Sequence, residues 1–275
     1  MFFEPEQEER VRRALAKLSG LWEAHLAVVE LMAIGSAAVP QLKAFVAAPE
    51  PSGIFQPRCE AVGVLGALGA KDVLLDLLSH PRDVTNPVEQ TGEEAVLNAC
   101  ARCLEKWQDE EVFDCLLASG HRKPLAGIVE ALGNYARFEA IPVYDAALAE
   151  DFSRAAAEVA FRKLGPSTIP HLISLSQLRL PSRGEESESN KRLRRSALKL
   201  LTEFSNIGEH LGPLIALTRD GDPEIAIRAC AVCLPLVSGE QKESMISRLK
   251  DIAHHCRWPL CEEARQLADS ASAGF

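Results

Sequence analysis

Aromatic residues are scarce in this chain of 275 residues. They account for 5% of the sequence, whereas hydrophobic residues of all kinds account for 47%. With so few large rings and with abundant Ala and Leu, the composition suits packing of helix on helix through small residues better than a sheet sandwich. The hydrophobic fraction is nevertheless large enough for a continuous core, so we expect an all-α protein.

An excess of positive charge is also absent. The chain has 39 acidic and 30 basic residues, for a formal net charge of -9. Proteins that bind nucleic acid through its phosphates usually present a basic face or stripe, so this balance disfavours nucleic acid as a partner. The basic run from Lys191 to Arg195 directly follows the acidic segment Glu185 to Glu188, and we interpret the two as a self-paired or solvated charge block.

Signals for export or membrane insertion are not evident either. Met1 to Glu6 lacks the basic n-region and apolar run of a secretory signal. No uninterrupted apolar stretch approaches the roughly 18 to 20 residues that a spanning helix needs. Without an export signal, the eight cysteines indicate reduced thiols and not a disulfide framework. We therefore expect a cytoplasmic protein with no membrane partner.

What the chain does contain is a repeated phrase that closes one helix and opens the next. A Leu-Gly or Ile-Gly pair is followed, a few residues later, by a segment of the form Val/Ile-Pro-x-Leu/Tyr. Gly suits a helix end because it adopts left-handed conformations freely. Pro suits the first turn of the next helix, where its missing N–H costs nothing. The copies are Ile34-Gly35 with Val39 to Leu42, Leu132-Gly133 with Ile141 to Tyr144, Leu164-Gly165 with Ile169 to Leu172, and the degenerate Ile207-Gly208 with Leu211 to Leu214.

Apolar residues recur with a helical period before each of these helix ends. Such stripes are expected to face a core, and a single hairpin cannot bury its stripe alone, so neighbouring hairpins must stack. The first two stripes are Leu26, Val29, Met32 and Ala33, then Ala61, Val62, Leu65 and Leu68. The helix ends are placed at Gly35, Gly69, about Gln108, Gly133, Gly165, Gly208 and Gly239.

One helix opening resembles that of a known family. Asp222-Pro223-Glu224-Ile225-Ala226-Ile227-Arg228-Ala229 is similar to the D-P-x-[VI]-x-x-R-x-A opening of HEAT repeats, in particular the short bacterial form also found in phycobilisome-lyase-type proteins. The segment from Asp151 to Ala156 is a looser copy. The resemblance implies an α-α superhelix, an armadillo/HEAT-like solenoid, here of about seven hairpins. It also implies an Asp–Arg ladder between repeats, with structural roles for Arg58, Arg154, Arg195 and Arg228.

We expect a single domain over residues 1–275, with a capping helix at 6–18 and repeats over 20–272. Three connections are unusually long, and insertions on one edge of a repeat array often lie on its binding side. They are Pro49 to Pro57, Pro81 to Gly92 and Pro181 to Asn190. The second should end at a capping box, Thr91 to Glu94. The third, residues 181–190, is polar and is expected to be flexible.

Two C-x-x-C pairs, Cys100 with Cys103 and Cys230 with Cys233, raise the question of a zinc site. Both pairs occupy the same repeat position, where other units have Ala or Gly, so we interpret these cysteines as small packing residues. Their separation by four units also disfavours a shared site. A secondary metal candidate joins the second pair to a neighbouring cluster, although mid-helix ligands are atypical of zinc. That cluster is His255, Cys256 and Cys261.

Motifs of known enzymes are missing from the sequence. It has no G-x-S-x-G, P-loop or H-E-x-x-H motif, and it lacks the His-Glu pairs that bind iron in HEAT-repeat deoxyhypusine hydroxylases. We therefore predict a protein without catalytic activity and without a cofactor.

Polar positions on the second helices, which usually line the concave face in this family, are mostly acidic. They form either a solvated face or a groove for a basic helix or peptide. The residues are Asp72, Asp76, Asp114, Glu139 and Asp145, with His171 beside them. In the first long loop, Ile54 and Phe55 either fold back as a lid or form a knob for a partner. We favour a scaffold that binds a partner protein or peptide through this face and the edge loops.

Two alternatives remain open. The family resemblance implies, first, a lyase-like protein that holds a bilin chromophore and its acceptor protein. HEAT-like alkylpurine DNA glycosylases offer a second analogue, which needs a basic channel and is disfavoured by the net charge.

Overall fold

The computed structural model describes residues 5–20, 22–48, 54–179, 181–182, 185–205 and 207–273. The described residues form sixteen α-helices, several short 3-10 turns and one antiparallel pair of two-residue strands, β1 (Pro181–Ser182) and β2 (Glu185–Glu186). The predicted all-α class is confirmed. The chain divides into two compact units, Met1–Val143 and Tyr144–Phe275, which we call the first and second unit.

A capping helix and successive hairpins make up the first unit. The prediction of a helix at 6–18 corresponds to α1. The last helix of this group, α9, begins in the first unit and ends in the second. The helices are α1 (Pro5–Lys17), α2 (Ala24–Ile34), α3 (Val39–Ala47), α4 (Gln56–Ala67), α5 (Lys71–Ser79), α6 (Pro87–Leu104), α7 (Glu110–Arg122), α8 (Ala126–Tyr135) and α9 (Ile141–Leu148).

Three further hairpins and a final helix make up the rest of the second unit. Pairing each first helix with its second, from α2 with α3 to α14 with α15, gives seven hairpins, which confirms the predicted repeat architecture. The helices are α10 (Arg154–Leu164), α11 (Ile169–Gln177), α12 (Glu188–Leu201), α13 (Leu211–Leu217), α14 (Pro223–Cys233), α15 (Gly239–His255) and α16 (Leu260–Ser272).

Within each unit the first helices of neighbouring hairpins pack on one another. In the first unit α1, α2, α4, α6 and α8 form such a row, and in the second unit α10, α12, α14 and α16 do so. The core lies between each row and the second helices, where small residues such as Ala61 and Ala197 are completely buried. This is the packing that the low aromatic content predicts.

Glycine ends three of the helices as the repeated phrase predicts. Gly35, Gly69 and Gly165 have φ of 75°, 77° and 77°, which a residue with a Cβ adopts only with strain. The same role is predicted for Gly133, and that prediction is wrong. Helix α8 continues through it to Tyr135, and Ala136 takes the left-handed conformation instead, with φ 49° and ψ 44°.

The first predicted core stripe is wrong. Leu26 and Val29 are 66% and 54% exposed, whereas Ala27 and Leu31 are completely buried. The reason is that α2 packs on α1 and α4 through the face that carries Ala27 and Leu31. In the second stripe Ala61, Val62 and Leu65 are buried as predicted.

The segment that contains α2 and α3 is long and apolar enough to cross a membrane, by length and composition alone. The apolar runs of the sequence do not predict this, since charged and polar residues interrupt them. Ala24–Ala47 has a mean hydropathy of 1.4, and 22% of its most apolar window is buried. The positive φ of Gly35 divides this segment into α2 and α3.

Two of the three long connections are shorter than predicted. Helix α6 begins at Pro87, with the Asn86 side chain accepting hydrogen bonds from the N–H groups of Val88 and Glu89. The capping box predicted at Thr91 is therefore wrong, since Thr91 lies inside the helix. Helix α12 begins at Glu188 with Ser187 as its N-cap, within the segment 181–190 that its composition predicts to be flexible. Residues 49–53 and 183–184 of the predicted loops lie outside the described residues.

Arginine side chains link neighbouring first helices in both units, as the family resemblance implies. In the first unit, Arg58 Nη2 of α4 lies 2.7 Å from Glu93 Oε2 of α6, and both side chains are buried. In the second unit, Arg195 Nη2 of α12 lies 2.5 Å from Asp222 Oδ2, at the start of α14. These pairs hold successive hairpins in register.

The other two arginines that the resemblance singles out pair locally. Arg154 Nη1 lies 3.2 Å from Asp151 Oδ1, three residues before it. Arg228 Nη2 lies 2.6 Å from Glu224 Oε1 in its own helix. Neither of these contacts links two hairpins.

The basic run of α12 is paired inside the second unit. Arg194 is completely buried, with Nη2 2.5 Å from Asp220 Oδ2 and Nη1 2.8 Å from Glu186 Oε2. Arg192 Nη1 lies 2.8 Å from Asp151 Oδ2. Within the predicted charge block Glu186 pairs with Arg194 and Glu188 pairs with Arg195, so the block is self-paired in part. The other partners of the run, Asp151 and Asp220, lie outside it.

Candidate functional site

Carboxylates concentrate on the second helices of the first unit, on α5, on α7 and on the turn before α9. We call this group the acidic ridge. It comprises Asp72, Asp76, Asp109, Glu110, Glu111, Asp114 and Glu139. The Lys and Arg side chains that pair with it are Lys43, Lys71 and Arg137, and His80 Nδ1 also lies 3.0 Å from Asp76 Oδ1. Seven carboxylates against three bases leave the ridge with a marked negative charge.

Ion pairs join the ridge across neighbouring helices. Lys71 Nζ of α5 lies 2.9 Å from Asp109 Oδ2 and 2.6 Å from Glu111 Oε2, both at the start of α7. Lys43 Nζ of α3 lies 2.8 Å from Asp76 Oδ2 of α5. These ion pairs link the second helices of three successive hairpins.

Arg137 extends the ridge toward α9. Its Nη1 lies 2.7 Å from Glu110 Oε2 and its Nη2 lies 3.0 Å from Glu139 Oε1. The guanidinium also stacks 3.8 Å above the ring of Phe113, an orientation in which the cation is attracted by the ring face. Arg137 is therefore held between two carboxylates and an aromatic ring.

Three paired carboxylates of the ridge favour their ionised form. The hydrogen bond from Lys43 lowers the pKa of Asp76. The hydrogen bond from Lys71 lowers the pKa of Asp109, and that from Arg137 lowers the pKa of Glu139. Because a cation stabilises the charged form of each group, these three carboxylates resist protonation as the pH falls.

Two ridge residues keep their charge available. Asp72 and Asp114 are exposed, and within the described ranges neither makes a hydrogen bond or ion pair. Asp72 lies on α5 and Asp114 on α7, and Lys71 already links these two helices. A cationic side chain from another molecule can therefore approach them without displacing an internal partner.

Helix energetics explain part of the ridge and not all of it. Acidic residues are favoured at helix N-termini, where they face the positive end of the helix dipole. Asp109 is also the N-cap of α7, and its Oδ1 accepts a hydrogen bond of 3.1 Å from the Val112 N–H. Asp76 and Asp114 lie beyond the first turn of their helices. The helix dipole therefore does not account for the negative charge at these two positions.

Asp145 and His171, which the sequence pattern groups with these residues, pair with each other in the second unit. His171 Nε2 lies 2.9 Å from Asp145 Oδ1, and the His171 ring stacks on Phe161 with centroids 6.2 Å apart. The hydrogen bond from Asp145 raises the pKa of His171. The pair joins α9 to α11, so its carboxylate is already engaged.

Ile54 and Phe55 lie in different environments. Phe55 packs against α6, where a Cβ added to Gly92 would come within 3.1 Å of the Phe55 Cβ. Ile54 is 62% exposed. The position of Phe55 fits the predicted lid, and a contact of either residue with a partner stays a prediction.

The candidate metal ligands are not brought together. Cys230 and Cys233 are buried in α14, and burial raises the pKa of each thiol to about 12. His255 Nδ1 lies 2.8 Å from the carbonyl oxygen of Asp251. Within the described ranges, no three His, Cys, Asp or Glu side chains are placed to hold a metal ion; this applies equally to Cys256 and Cys261.

The other cysteine pair also fills space in the core. Cys100 is completely buried, and desolvation raises the pKa of its thiol. A Cβ at Gly66 of α4 would come within 2.7 Å of Cys103 Sγ, so the sulfur occupies the room that this glycine leaves. Both cysteines support the packing of α4 against α6.

The sequence pattern does not single out Asp109, Glu110 and Glu111, although they stand consecutively in the chain. A run of three acidic residues is visible in the sequence. The start of α7, however, lacks the glycine and proline that mark other hairpins, so the run is not assigned to the start of a second helix. Lys71 and Arg137 are equally hard to find, since most of their partners lie far away in sequence.

Comparisons with known proteins give no family. No protein-family model matches the chain, and no curated protein does. Among solved structures, it is similar to a computationally designed armadillo repeat protein for modular peptide recognition, with 15% identity and a TM-score of 0.30 over 95% of this chain and 99% of that one. A designed armadillo repeat protein in complex with the peptide (KR)4 also has 15% identity, with a TM-score of 0.20 over 95% of this chain and 98% of that one.

Proposed function

We propose that the chain is a non-catalytic scaffold that binds a basic segment of a partner protein on the acidic ridge. The observation that carries this proposal is the ridge itself, with seven carboxylates against three bases and with Asp72 and Asp114 exposed and unpaired within the described residues. Stacked helices hold these groups on a rigid surface. Such surfaces are what helical repeats commonly offer to extended peptides and helices.

The contribution of each charge to such an interaction is modest. An exposed ion pair is worth about 0.2 to 1 kcal/mol, so Asp72 and Asp114 together account for about a 2- to 30-fold change in affinity. Complementary charge acts chiefly on association rate and partner choice. Affinity would also come from apolar contacts, for which the exposed Ile54 is one candidate on this unit.

The test compares two doubly neutralised variants. Asp72→Asn with Asp114→Asn removes two charges from the ridge, and Glu243→Gln with Asp269→Asn removes two exposed charges elsewhere. Binding of a fluorescent peptide of alternating Lys and Arg is measured by anisotropy at low salt. We expect the ridge variant to bind about 2- to 30-fold more weakly and the control to bind as the unmodified protein does.

Equal loss in both variants would show that net charge alone attracts the peptide, and the ridge would then have no special role. The lyase-like and glycosylase-like alternatives remain predictions that no contact among the described residues favours.

A further inference from the structure

A cleft of about 230 Å³ opens in the first unit, on the edge where the second long connection runs. Residues 81–84 of that connection form its rim, and the C-terminal ends of α5 and α7 and the facing sides of α6 and α8 form its walls. Neither Asp72 nor Asp114 lines the cleft. Its chemistry is therefore independent of the acidic ridge and of the function proposed for that surface.

One part of the wall is apolar. Leu97 of α6, Leu125 before α8 and Ile128 of α8 face the cleft. Leu125 and Ile128 are buried in the structure, 9% and 2% exposed. A wholly apolar cavity of about 150 Å³ is large enough to hold a benzene ring, and this cleft, whose other walls are polar, has a larger volume. This cleft therefore has room for a compact apolar group and a few further atoms.

The carboxylates of the wall are already compensated. Glu93 Oε2 lies 2.7 Å from Arg58 Nη2, and Glu93 Oε1 accepts a hydrogen bond of 3.2 Å from the backbone N–H of Arg82. Glu94 Oε1 lies 2.5 Å from Lys123 Nζ. Neither glutamate is left to neutralise a further cation.

One guanidinium group of the cleft lacks a hydrogen-bond partner. Arg82 Nη1 is buried and makes no hydrogen bond within the described residues. It forms a long ion pair, at 3.6 Å, with Glu93 Oε2, which Arg58 also contacts. Arg122 is exposed, and its Nη2 donates to two neutral acceptors, the Leu78 carbonyl at 2.7 Å and the Ser119 hydroxyl at 3.0 Å. A buried cationic donor without an acceptor is unfavourable, so an anion entering the cleft would supply the acceptor that Arg82 Nη1 lacks.

The charged lining of the cleft is balanced, with three bases against three acids. The bases are Arg82, Arg122 and Lys123, and the acids are Asp83, Glu93 and Glu94. Glu93 also pairs with Arg58, behind the cleft, and Asp83 is exposed on the rim. Because Arg58 takes up part of the charge of Glu93, the balance leaves room for one further carboxylate.

We propose that this cleft binds a monocarboxylate that carries one compact apolar group, an aromatic ring or a branched alkyl chain. The carboxylate lies between Arg82 and Arg122, and the apolar group packs against Leu97, Leu125 and Ile128. Guanidinium groups suit this task because their planar donors match the two carboxylate oxygens. A free organic acid and the C-terminal residue of a peptide both present this group.

The probe is phenylacetate, added to ¹⁵N-labelled full-length protein and followed by NMR chemical-shift perturbation. Its neutral isostere phenylacetamide is the control ligand. For a ligand of this size we expect a Kd of about 1 mM or tighter, with shifts confined to residues around the cleft. Phenylacetamide should bind at least about tenfold more weakly, because it cannot form the charge-assisted hydrogen bonds.

Three substitutions locate the carboxylate. Arg82→Gln and Arg122→Gln should each weaken phenylacetate binding by about tenfold. Arg102→Gln is the matched control, since Arg102 lies on α6, beyond the residues that line the cleft, and pairs with Glu130 on the surface; it should leave binding unchanged. Thermal unfolding of each variant identifies any that fails to fold. Phenylalanine-ended peptides with a free or an amidated C-terminus then distinguish a peptide ligand from a free acid.

The proposal is overturned if phenylacetate produces no chemical-shift changes at about 20 mM, a concentration about 20 times the expected Kd. Equally tight binding of phenylacetamide would overturn it as well. It is also overturned if folded Arg82→Gln and Arg122→Gln variants both bind as the unmodified protein does. Because the Asp72 and Asp114 variants leave the cleft intact, loss of peptide binding on the ridge and loss of phenylacetate binding are separate results.

Discussion

At the scale of single residues, backbone conformation and not sequence motif decides where glycine is needed. Gly165 has φ 77° and ψ -163°, a combination almost confined to glycine. Ala136 has φ 49°, which an L-residue reaches at a cost of about 1 to 2 kcal/mol. The sequence places a glycine at 133, where the helix does not need one, and an alanine at 136, where the chain would use it.

The first prediction concerns this mismatch. Ala136→Gly should stabilise the protein by about 0.5 to 1 kcal/mol, because relief of the left-handed strain exceeds the added entropy of the unfolded chain. Gly165→Ala should destabilise it by more than about 1 kcal/mol. Urea unfolding followed by circular dichroism measures both. A lower midpoint for Ala136→Gly would show that Ala136 is not strained.

The second prediction compares two tyrosines. The Tyr144 hydroxyl is buried and has no hydrogen-bond partner in the described ranges, while the Tyr135 hydroxyl donates to the Trp107 carbonyl at 2.9 Å. Tyr144→Phe should therefore leave the free energy of unfolding unchanged or raise it. Tyr135→Phe should lower it by about 1 kcal/mol. If the two variants lose equal stability, the Tyr144 hydroxyl has a partner after all.

The third prediction concerns pH. Asp145 raises the pKa of His171 above its usual 6.5, so the pair stabilises the folded state fully below pH 6.5 and loses that contribution as pH rises through the folded pKa. Between about pH 6 and pH 8 the free energy of unfolding should fall more in the unmodified protein than in His171→Gln. Parallel pH profiles for the two proteins would contradict the assignment.

At the scale of helices, a single periodicity fits more than one face of a short helix. On α2 the apolar spacing selects Leu26 and Val29, yet Ala27 and Leu31 face the core. The choice depends on where α1 and α4 lie, and a helix of eleven residues does not contain that information. The exposed face of α2 is therefore apolar, although its side chains do not contribute to the core.

The fourth prediction tests this assignment. Leu31→Ala should cost about 2 to 5 kcal/mol, as truncation of a fully buried leucine does. Leu26→Ser and Val29→Ser remove side chains that are largely exposed, and each should change stability by less than about 1 kcal/mol. Thermal unfolding of the three variants ranks them. A larger loss for Leu26→Ser than for Leu31→Ala would reverse the two faces.

Helix starts show the same limit of local patterns. Thr91 to Glu94 matches a capping box, but Pro87 at the first turn and the Asn86 side chain start α6 earlier. The sequence contains both possible helix starts, at Pro87 and at Thr91. The earlier start gives a longer α6, and its packing against α4, α5 and α8 decides between the two. By contrast, Asp222 is predicted correctly as a helix opening because cap, proline and ladder arginine all agree.

At the scale of the whole molecule, the sequence predicts the architecture and half of the candidate site. Alternation of helix ends and prolines suffices for stacked hairpins. Acidic positions on the second helices are also readable, but their pairing is not. Asp76 pairs with Lys43, thirty-three residues away, and Glu139 with Arg137, so which carboxylates remain available depends on the packed neighbours.

The cleft beside Arg82 and Arg122 could not be predicted at all. Its residues come from four helices and two connections, and no periodicity marks them. The local sequence around Arg122 reads as an ordinary helix end, where basic residues are common.

The central claim is that the acidic ridge receives a basic segment. The most direct test is zero-length carbodiimide cross-linking of the Lys-Arg peptide to the full chain, with the joined residues identified by mass spectrometry. The account predicts adducts at Asp72 and Asp114, which are exposed and have no ion-pair partner within the described residues. Adducts spread over exposed carboxylates such as Glu243 and Asp269, with none on the ridge, would contradict it.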